Sequence, residues 1–214
     1  MSVAFFYVIG SMQLSKPVIL ASQSPRRLLL LRQIGVEPIV RPCSIAETVE
    51  PDRSPARNAQ DLAIQKARTV AAGVEHGYVV GADTIVTLGS TMLGKPTDYD
   101  DAVRMLGLLS GKTHTVHTGY AIIDRPSNKI ISGVEETLVT FRSIPKAEIE
   151  EYVAGGSPMD KAGAYGIQDD YGAVFVRRIE GCYYNVVGLP LSALYEALMK
   201  IEKRSLESTK ESNE

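Results

Sequence analysis

An α/β fold, with strands covered by helices, is the architecture this sequence predicts. Short apolar, β-branched runs alternate with helical segments that open on Ser-Pro or Asp and close on Gly. The 214 residues, 44 % of them hydrophobic and 22 % charged, match ordinary globular usage and suffice for one sizeable core. Disorder, collagen-like repeats and low-complexity assembly are thereby excluded.

Each element has a local reason. Pro17 to Ala21 (PVILA) reads as a short buried strand, leading into Ser24 as helix N-cap, Pro25 at the first helical position, a run of leucines and Gly35 as the stop. Ser54-Pro55 opens a second helix, with Ala63, Ile64, Ala67 and Val70 marking its apolar face and Gly73 closing it. Tyr78 to Val86 is a strand interrupted by Asp83 and Thr84. Asp98, Asp100 and Asp101 favour the positive end of a third helix, which ends at Ser110-Gly111. His114 to Ile123 and Ile130 to Arg142 form a hairpin about the turn cluster Asp124 to Asn128. A helix over Pro145 to Val153, a Gly-rich stretch, a strand over Ala173 to Arg178 and a helix from Pro190 to Ile201 complete the domain.

That domain spans residues 16–201. Residues 1–15 read as an N-terminal extension: the apolar stretch Val3 to Ile9 has no basic residue before it and is far short of the roughly 20 residues a membrane span requires. Residues 202–214 are almost devoid of apolar side chains and are expected to be a solvated tail.

Charge and cysteine usage bound the function. With 23 Lys+Arg against 25 Asp+Glu, the net charge of −2 argues against a nucleic-acid or membrane binder, which draws on a basic surplus. Cys43 and Cys182 are too few for a disulfide framework and stand in no metal-ligand spacing, so a cytoplasmic setting is expected.

Several residues could carry chemistry. Arg26 and Arg27 occupy a helix first turn that ordinarily favours acidic side chains; an anion held there by the free amides and by Ser22 and Ser24 would resolve the conflict, and two water-facing arginines are the alternative. Asp83 places a carboxylate inside a strand run, either at work or capping a loop. Glu47 offers an oxygen ligand for a hard cation, or a solvated side chain. Lys66, on an apolar-periodic helix, and Lys95, in the turn Gly94-Lys95-Pro96, are each a phosphate contact or an ordinary surface lysine.

Other motifs fail on spacing. Ser110-Gly111-Lys112-Thr113 imitates the end of a P-loop, but Leu106 stands where its first Gly is required. His114 and His117 lie three apart on a strand and so face opposite sides. No Gly-x-Ser-x-Gly elbow and no catalytic cysteine loop is present.

The blocks Leu20 to Arg27, Gly81 to Val86, Gly94 to Pro96, Leu109 to Gly111, Asp160 to Gln168 and Asn185 to Pro190 resemble, in order, the signature blocks of the Maf family of nucleoside triphosphate pyrophosphatases. The resemblance implies a mixed central sheet flanked by helices, two lobes with an active-site cleft as in inosine triphosphatase-like proteins, a divalent metal (Mg or Mn), a nucleoside triphosphate substrate and a homodimer. Asp83 would accept the proton of the attacking water and touch the metal with Glu47, while Ser22, Ser24, Arg27, Lys66 and Lys95 would meet phosphate oxygens. Arg26, Thr84 and Gln168 match the branch acting on dTTP and UTP, where a branch resembling 7-methyl-GTP pyrophosphatases has Trp, Gln and Glu. The Gln amide complements the N3–H and O4 edge of thymine and uracil, with weaker discrimination against cytosine. The sequence departs from the family where Asp169-Asp170 replaces a Gly after Gln168, leaving that loop's role open. Activity on other or modified nucleotides, or a nucleotide-binding role in septum formation without turnover, are the competing readings.

Overall fold

The computed structural model describes residues 12–168 and 171–211. Most of the N-terminal extension and the Asp169-Asp170 pair lie outside the described residues. The element order is β1 (Val18–Leu20), α1 (Pro25–Gln33), β2 (Ile39–Val40), α2 (Pro55–Ala71), β3 (Gly77–Leu88), β4 (Thr91–Leu93), α3 (Tyr99–Leu109), β5 (Thr113–Arg125), β6 (Ile130–Phe141), α4 (Lys146–Ala154), β7 (Val176–Glu180), α5 (Tyr183–Val187) and α6 (Leu191–Glu211). The sheet has seven strands in the order β2-β1-β3-β5-β6-β7, with β4 paired to β3 off that path. β1 runs parallel to β2 and β3, and the remaining pairings are antiparallel, so the expected α/β sheet is mixed.

Strand alternation sends side chains into different cores. Val18, Leu20, Tyr78, Val80 and Ala82 pack with α1 and α6, whereas Ile19, Ala21 and Val79 pack under α2. A separate cluster joins Val86, Val116 and Val139 to α3, α4 and Phe175. β3 and β5 contribute to all three clusters and therefore tie them together.

Helix α2 approaches the sheet unusually closely. A Cβ on Gly81 would stand 2.4 Å from the Ala63 carbonyl oxygen, and one on Gly119 would stand 2.2 Å from that of Ala59. Glycine in the sheet and alanine at i, i+4, i+8 on the helix (Ala59, Ala63, Ala67) make that approach possible.

The strand edge explains where a cleft opens. β1 pairs with Tyr78–Val80 of β3, and β4 pairs with Val86–Leu88. Among the described residues, no strand covers the intervening segment 81–85 on that edge. The gap lies at the carboxyl end of β1, where open α/β sheets place their ligands.

Two expectations are corrected, and a third holds in position but not in its hydrogen bond. The chain from Glu202 does not leave the body as a solvated tail: α6 continues to Glu211, and Glu202 and Ser205 are buried. Glu202 accepts hydrogen bonds from the Ser15 amide at 2.9 Å and the Tyr78 hydroxyl at 2.6 Å, so a polar segment is retained by satisfied polar contacts that hydropathy does not register. The strand expected over Ala173 to Arg178 begins at Val176; Tyr171–Phe175 is a 3₁₀ turn that delivers Phe175 to the aromatic cluster. Ser24 occupies the N-cap of α1, but its hydroxyl makes no cap bond.

Candidate active site

A cleft of about 500 Å³ opens at the uncovered edge of β3. Its walls come from the β1–α1 turn and the start of α1, the segment between β2 and α2, α2 itself, β3, β4 and the turn after it, the Asp160 to Gln168 loop and the end of α5. Every residue singled out from the sequence lines it: Ser22, Ser24, Arg26, Arg27, Glu47, Lys66, Asp83, Thr84, Lys95 and Gln168.

The close approach of α2 organises the centre. Asp83 lies two residues after Gly81 and so faces α2, while Lys66 lies three after Ala63 on the surface that meets the sheet. The Lys66 ammonium donates to Asp83 Oδ1 at 2.5 Å and to Glu47 Oε1 at 2.6 Å. Lys66 and Asp83 are buried, at 7 % and 6 % exposure, which excludes the surface-lysine reading.

The two carboxylates are driven in opposite directions. Burial raises the Asp83 pKa, although Lys66 and Arg27 oppose it. For Glu47 partial burial also acts upward, but Lys66, Lys95 and Arg27 prevail and hold it below the ordinary glutamate value. Paired carboxyl groups with diverging pKa values are the pattern expected of divided acid, base and ligand roles.

The opposite face of β3 positions a guanidinium. Arg27 donates from Nε to the Gly188 carbonyl at 2.9 Å, and from its terminal nitrogens to Ser22 Oγ at 3.2 Å and Thr84 Oγ1 at 3.1 Å. Burial pulls its pKa below the usual arginine value, with Asp83 opposing. Thr84 lies 3.0 Å from Thr118 Oγ1, which donates to the Asn185 carbonyl. Fully buried Asn185 donates in turn to the Val116 carbonyl and Thr137 Oγ1. Thr84 thus faces Arg27 and Thr118, Gln168 stands half-buried on the cleft wall, and Lys95 is an exposed cation at its rim.

Sequence reasoning gave no role to Thr118, Asn185, Asp160, Lys161 or Tyr165. Asn185 and the Asp160 to Gln168 loop are visible only as motif blocks, because Asn185, Asp160 and Tyr165 find Thr137, Thr118, Val116, Arg26 and His114 across 48 to 134 residues and no local spacing announces them. Asp160 accepts from Arg26 at 2.8 Å and from Lys161 at 2.9 Å. Tyr165 lines the cleft and pairs its hydroxyl with His114 Nε2 at 2.8 Å. His114 and His117 find different partners, the latter meeting Thr87 at 3.1 Å, as the strand alternation requires.

The chemistry of the donor set bears on a metal. Among the described residues no three His, Cys, Asp or Glu side chains gather to form a cage. Glu47 and Asp83 nevertheless converge on one cation and face an open cleft. This fits a magnesium-type ion, which takes one or two carboxylates and completes its shell with substrate phosphates and water.

Fold and cleft together define a class: an α/β protein with a cleft at a helix N-terminus that is lined by arginine, lysine and carboxylate side chains. The chain belongs to the Maf-like protein family, whose model matches residues 17–201. It is 45 % identical over 183 residues to the dTTP/UTP pyrophosphatase of Desulforamulus reducens, covering 86 % of this chain and 95 % of that one. Identity to the proteins of the same name is 47 % in Salinibacter ruber (87 % and 92 % covered) and 48 % in Moorella thermoacetica (85 % and 93 %). The solved structure of the Staphylococcus aureus Ham1 protein aligns with 59 % of this chain and 72 % of its own at a TM-score of 0.35 and 12 % identity. No helix among the described residues is long and apolar enough to cross a membrane.

Proposed function

We propose that this protein hydrolyses dTTP and UTP to the nucleoside monophosphate and pyrophosphate. The observation that carries the reading is the buried Asp83 carboxylate, held by Lys66 beside Glu47 and Arg27 in a cleft large enough for a nucleotide. The names of the relatives at 45–48 % identity supply the substrate pair.

In the proposed reaction a water oxygen attacks the α-phosphorus and the bond to the bridging oxygen of the β-phosphate breaks, releasing pyrophosphate. Asp83 takes the proton of the water, a role favoured by its raised pKa. Lys66 keeps that carboxylate oriented, and Arg27, Lys95, Ser22 and the first-turn amides of α1 meet phosphate oxygens. Glu47 and Asp83 would hold the divalent cation, Mg or Mn, which when bound neutralises phosphate charge. Gln168 would read the pyrimidine edge; Thr84 would act by fixing Arg27, and Arg26 would contribute to substrate choice from the opposite wall.

Two supporting features extend the reading. Cys43 and Cys182 are both free, in keeping with a reducing cytoplasm. Tyr195, Met199 and Leu206 form an exposed apolar stripe along α6, which suits the contact face of a homodimer.

Pyrophosphate release measured across canonical and modified triphosphates tests the assignment. Turnover should be highest for dTTP and UTP, and equal turnover of purine triphosphates would overturn the pyrimidine specificity. Binding of dTTP without release would instead favour a nucleotide-binding role in septum formation. Asp83→Asn should lower kcat by about 10² to 10⁴, the usual contribution of a general base; full retention of turnover would remove Asp83 from that role.

A further inference from the structure

Arg26 and Arg27 are neighbours in sequence but not in function. Successive helical residues project about 100° apart, so Arg27 turns toward Thr84 and Gly188 while Arg26 turns across the cleft to the Asp160 to Gln168 loop. There Asp160 bridges two cations, with Oδ2 2.8 Å from Arg26 and Oδ1 2.9 Å from Lys161. The side chains of Arg26 and Lys161 are only 17 % and 10 % exposed, whereas that of Asp160 is 56 % exposed. All three line the cleft. Two largely buried cations thus share one solvent-facing carboxylate, whose paired oxygens imitate two oxygens of a phosphate.

We propose that Arg26 and Lys161 form a second phosphate subsite, which takes a terminal phosphate of the substrate and the pyrophosphate product, and that Asp160 is its displaceable internal counter-ion. This deepens the reaction proposed above and rests on it for the identity of the anion. A pyrophosphate oxygen pair carries more charge than a single carboxylate and displaces Asp160 when it arrives; after bond cleavage the carboxylate competes for the two cations and assists product release. Asp160 therefore weakens product binding while keeping the empty subsite ordered.

Titration calorimetry of the full chain with inorganic pyrophosphate tests this. An ion pair whose carboxylate is more than half exposed is weak, so Asp160→Asn should tighten pyrophosphate binding by about two- to fivefold. Lys161→Met should weaken it by at least about fivefold, Lys161→Arg should restore it, and Asp160→Asn in the Lys161→Met background should lose most of its gain. Unchanged or weaker binding in Asp160→Asn, unchanged binding in a folded Lys161→Met, or failure of the wild-type chain to bind pyrophosphate while it hydrolyses dTTP would each overturn the subsite. The expected binding pattern without any dTTP hydrolysis would uphold the subsite and overturn the reaction.

Discussion

Lys66 holds the Glu47 and Asp83 carboxylates on one ammonium group, and its removal is the informative substitution at the scale of single residues. Burial raises the Asp83 pKa and Lys66 restrains that rise. Asp83 must be ionised to accept a proton, so the acidic limb of the rate profile follows its ionisation. Lys66→Met removes the restraining charge, so the acidic limb of kcat/KM should move to higher pH and activity at neutral pH should fall by at least about tenfold. An unshifted limb would show that another group controls it. Gln168 provides a test independent of the proton transfer. Gln168→Glu replaces an amide donor and acceptor by two acceptors, so kcat/KM for dTTP and UTP should fall about tenfold or more relative to other triphosphates. An unchanged ranking in a substrate panel would remove Gln168 from base recognition.

At the scale of elements, the centre depends on how closely α2 lies on β3 and β5. Gly81→Ala would set a Cβ 2.4 Å from the Ala63 carbonyl, a backbone atom that cannot rotate away. The helix must lift, at a cost of about 1–3 kcal/mol, and Lys66 lifts with it away from Asp83. Thermal melting should show a loss of several degrees, with a fall in kcat larger than the remaining folded fraction explains; wild-type kcat in a melted-down variant would separate the packing from the chemistry. These elements also show what the sequence makes legible. Helices α1, α2 and α3 were readable because Ser24-Pro25, Ser54-Pro55 and Asp98 mark their starts locally, and Ser54 and Asp98 do accept from Arg57 and Asp101. The short strands β2 and β4 and the helix α5 were not readable, since two to five residues carry too little periodicity. The extension of α6 beyond Ile201 was missed because Glu202 is satisfied by Tyr78, which lies 124 residues away. In the site, rule-breaking marked Arg26, Arg27 and Asp83, while Asp160 and Lys161 had no local conflict to reveal them.

At the scale of the whole molecule, the near-neutral total of −2 conceals a segregated distribution, with Arg26, Arg27, Lys66, Lys95 and Lys161 gathered on one cleft. Burying ionisable groups also makes global stability depend on pH. His114 is 1 % exposed, packs edge-on against Phe141 and Tyr165, and burial lowers its pKa from 6.5 to about 4. Above pH 6.5 the imidazole is neutral in both folded and unfolded chains and costs nothing. Between pH 6.5 and 4 the unfolded chain takes up a proton that the folded chain refuses, so stability declines as pH falls, by about 3 kcal/mol across the window. Asp83 acts in the opposite sense, since its raised pKa lets the folded chain bind a proton earlier and relieves its burial on acidification. His117, also lowered by burial but opposed by Glu136, acts in the same sense as His114. The wild-type slope is therefore a sum, and His114→Gln isolates one contribution while keeping an amide within reach of the Tyr165 hydroxyl. Chemical denaturation of both chains between pH 7 and 4.5 should show a distinctly shallower loss of stability in the variant. Parallel curves would mean that His114 protonates as readily in the folded chain as in the unfolded one, and that its place among Phe141 and Tyr165 is not the dry site its burial describes.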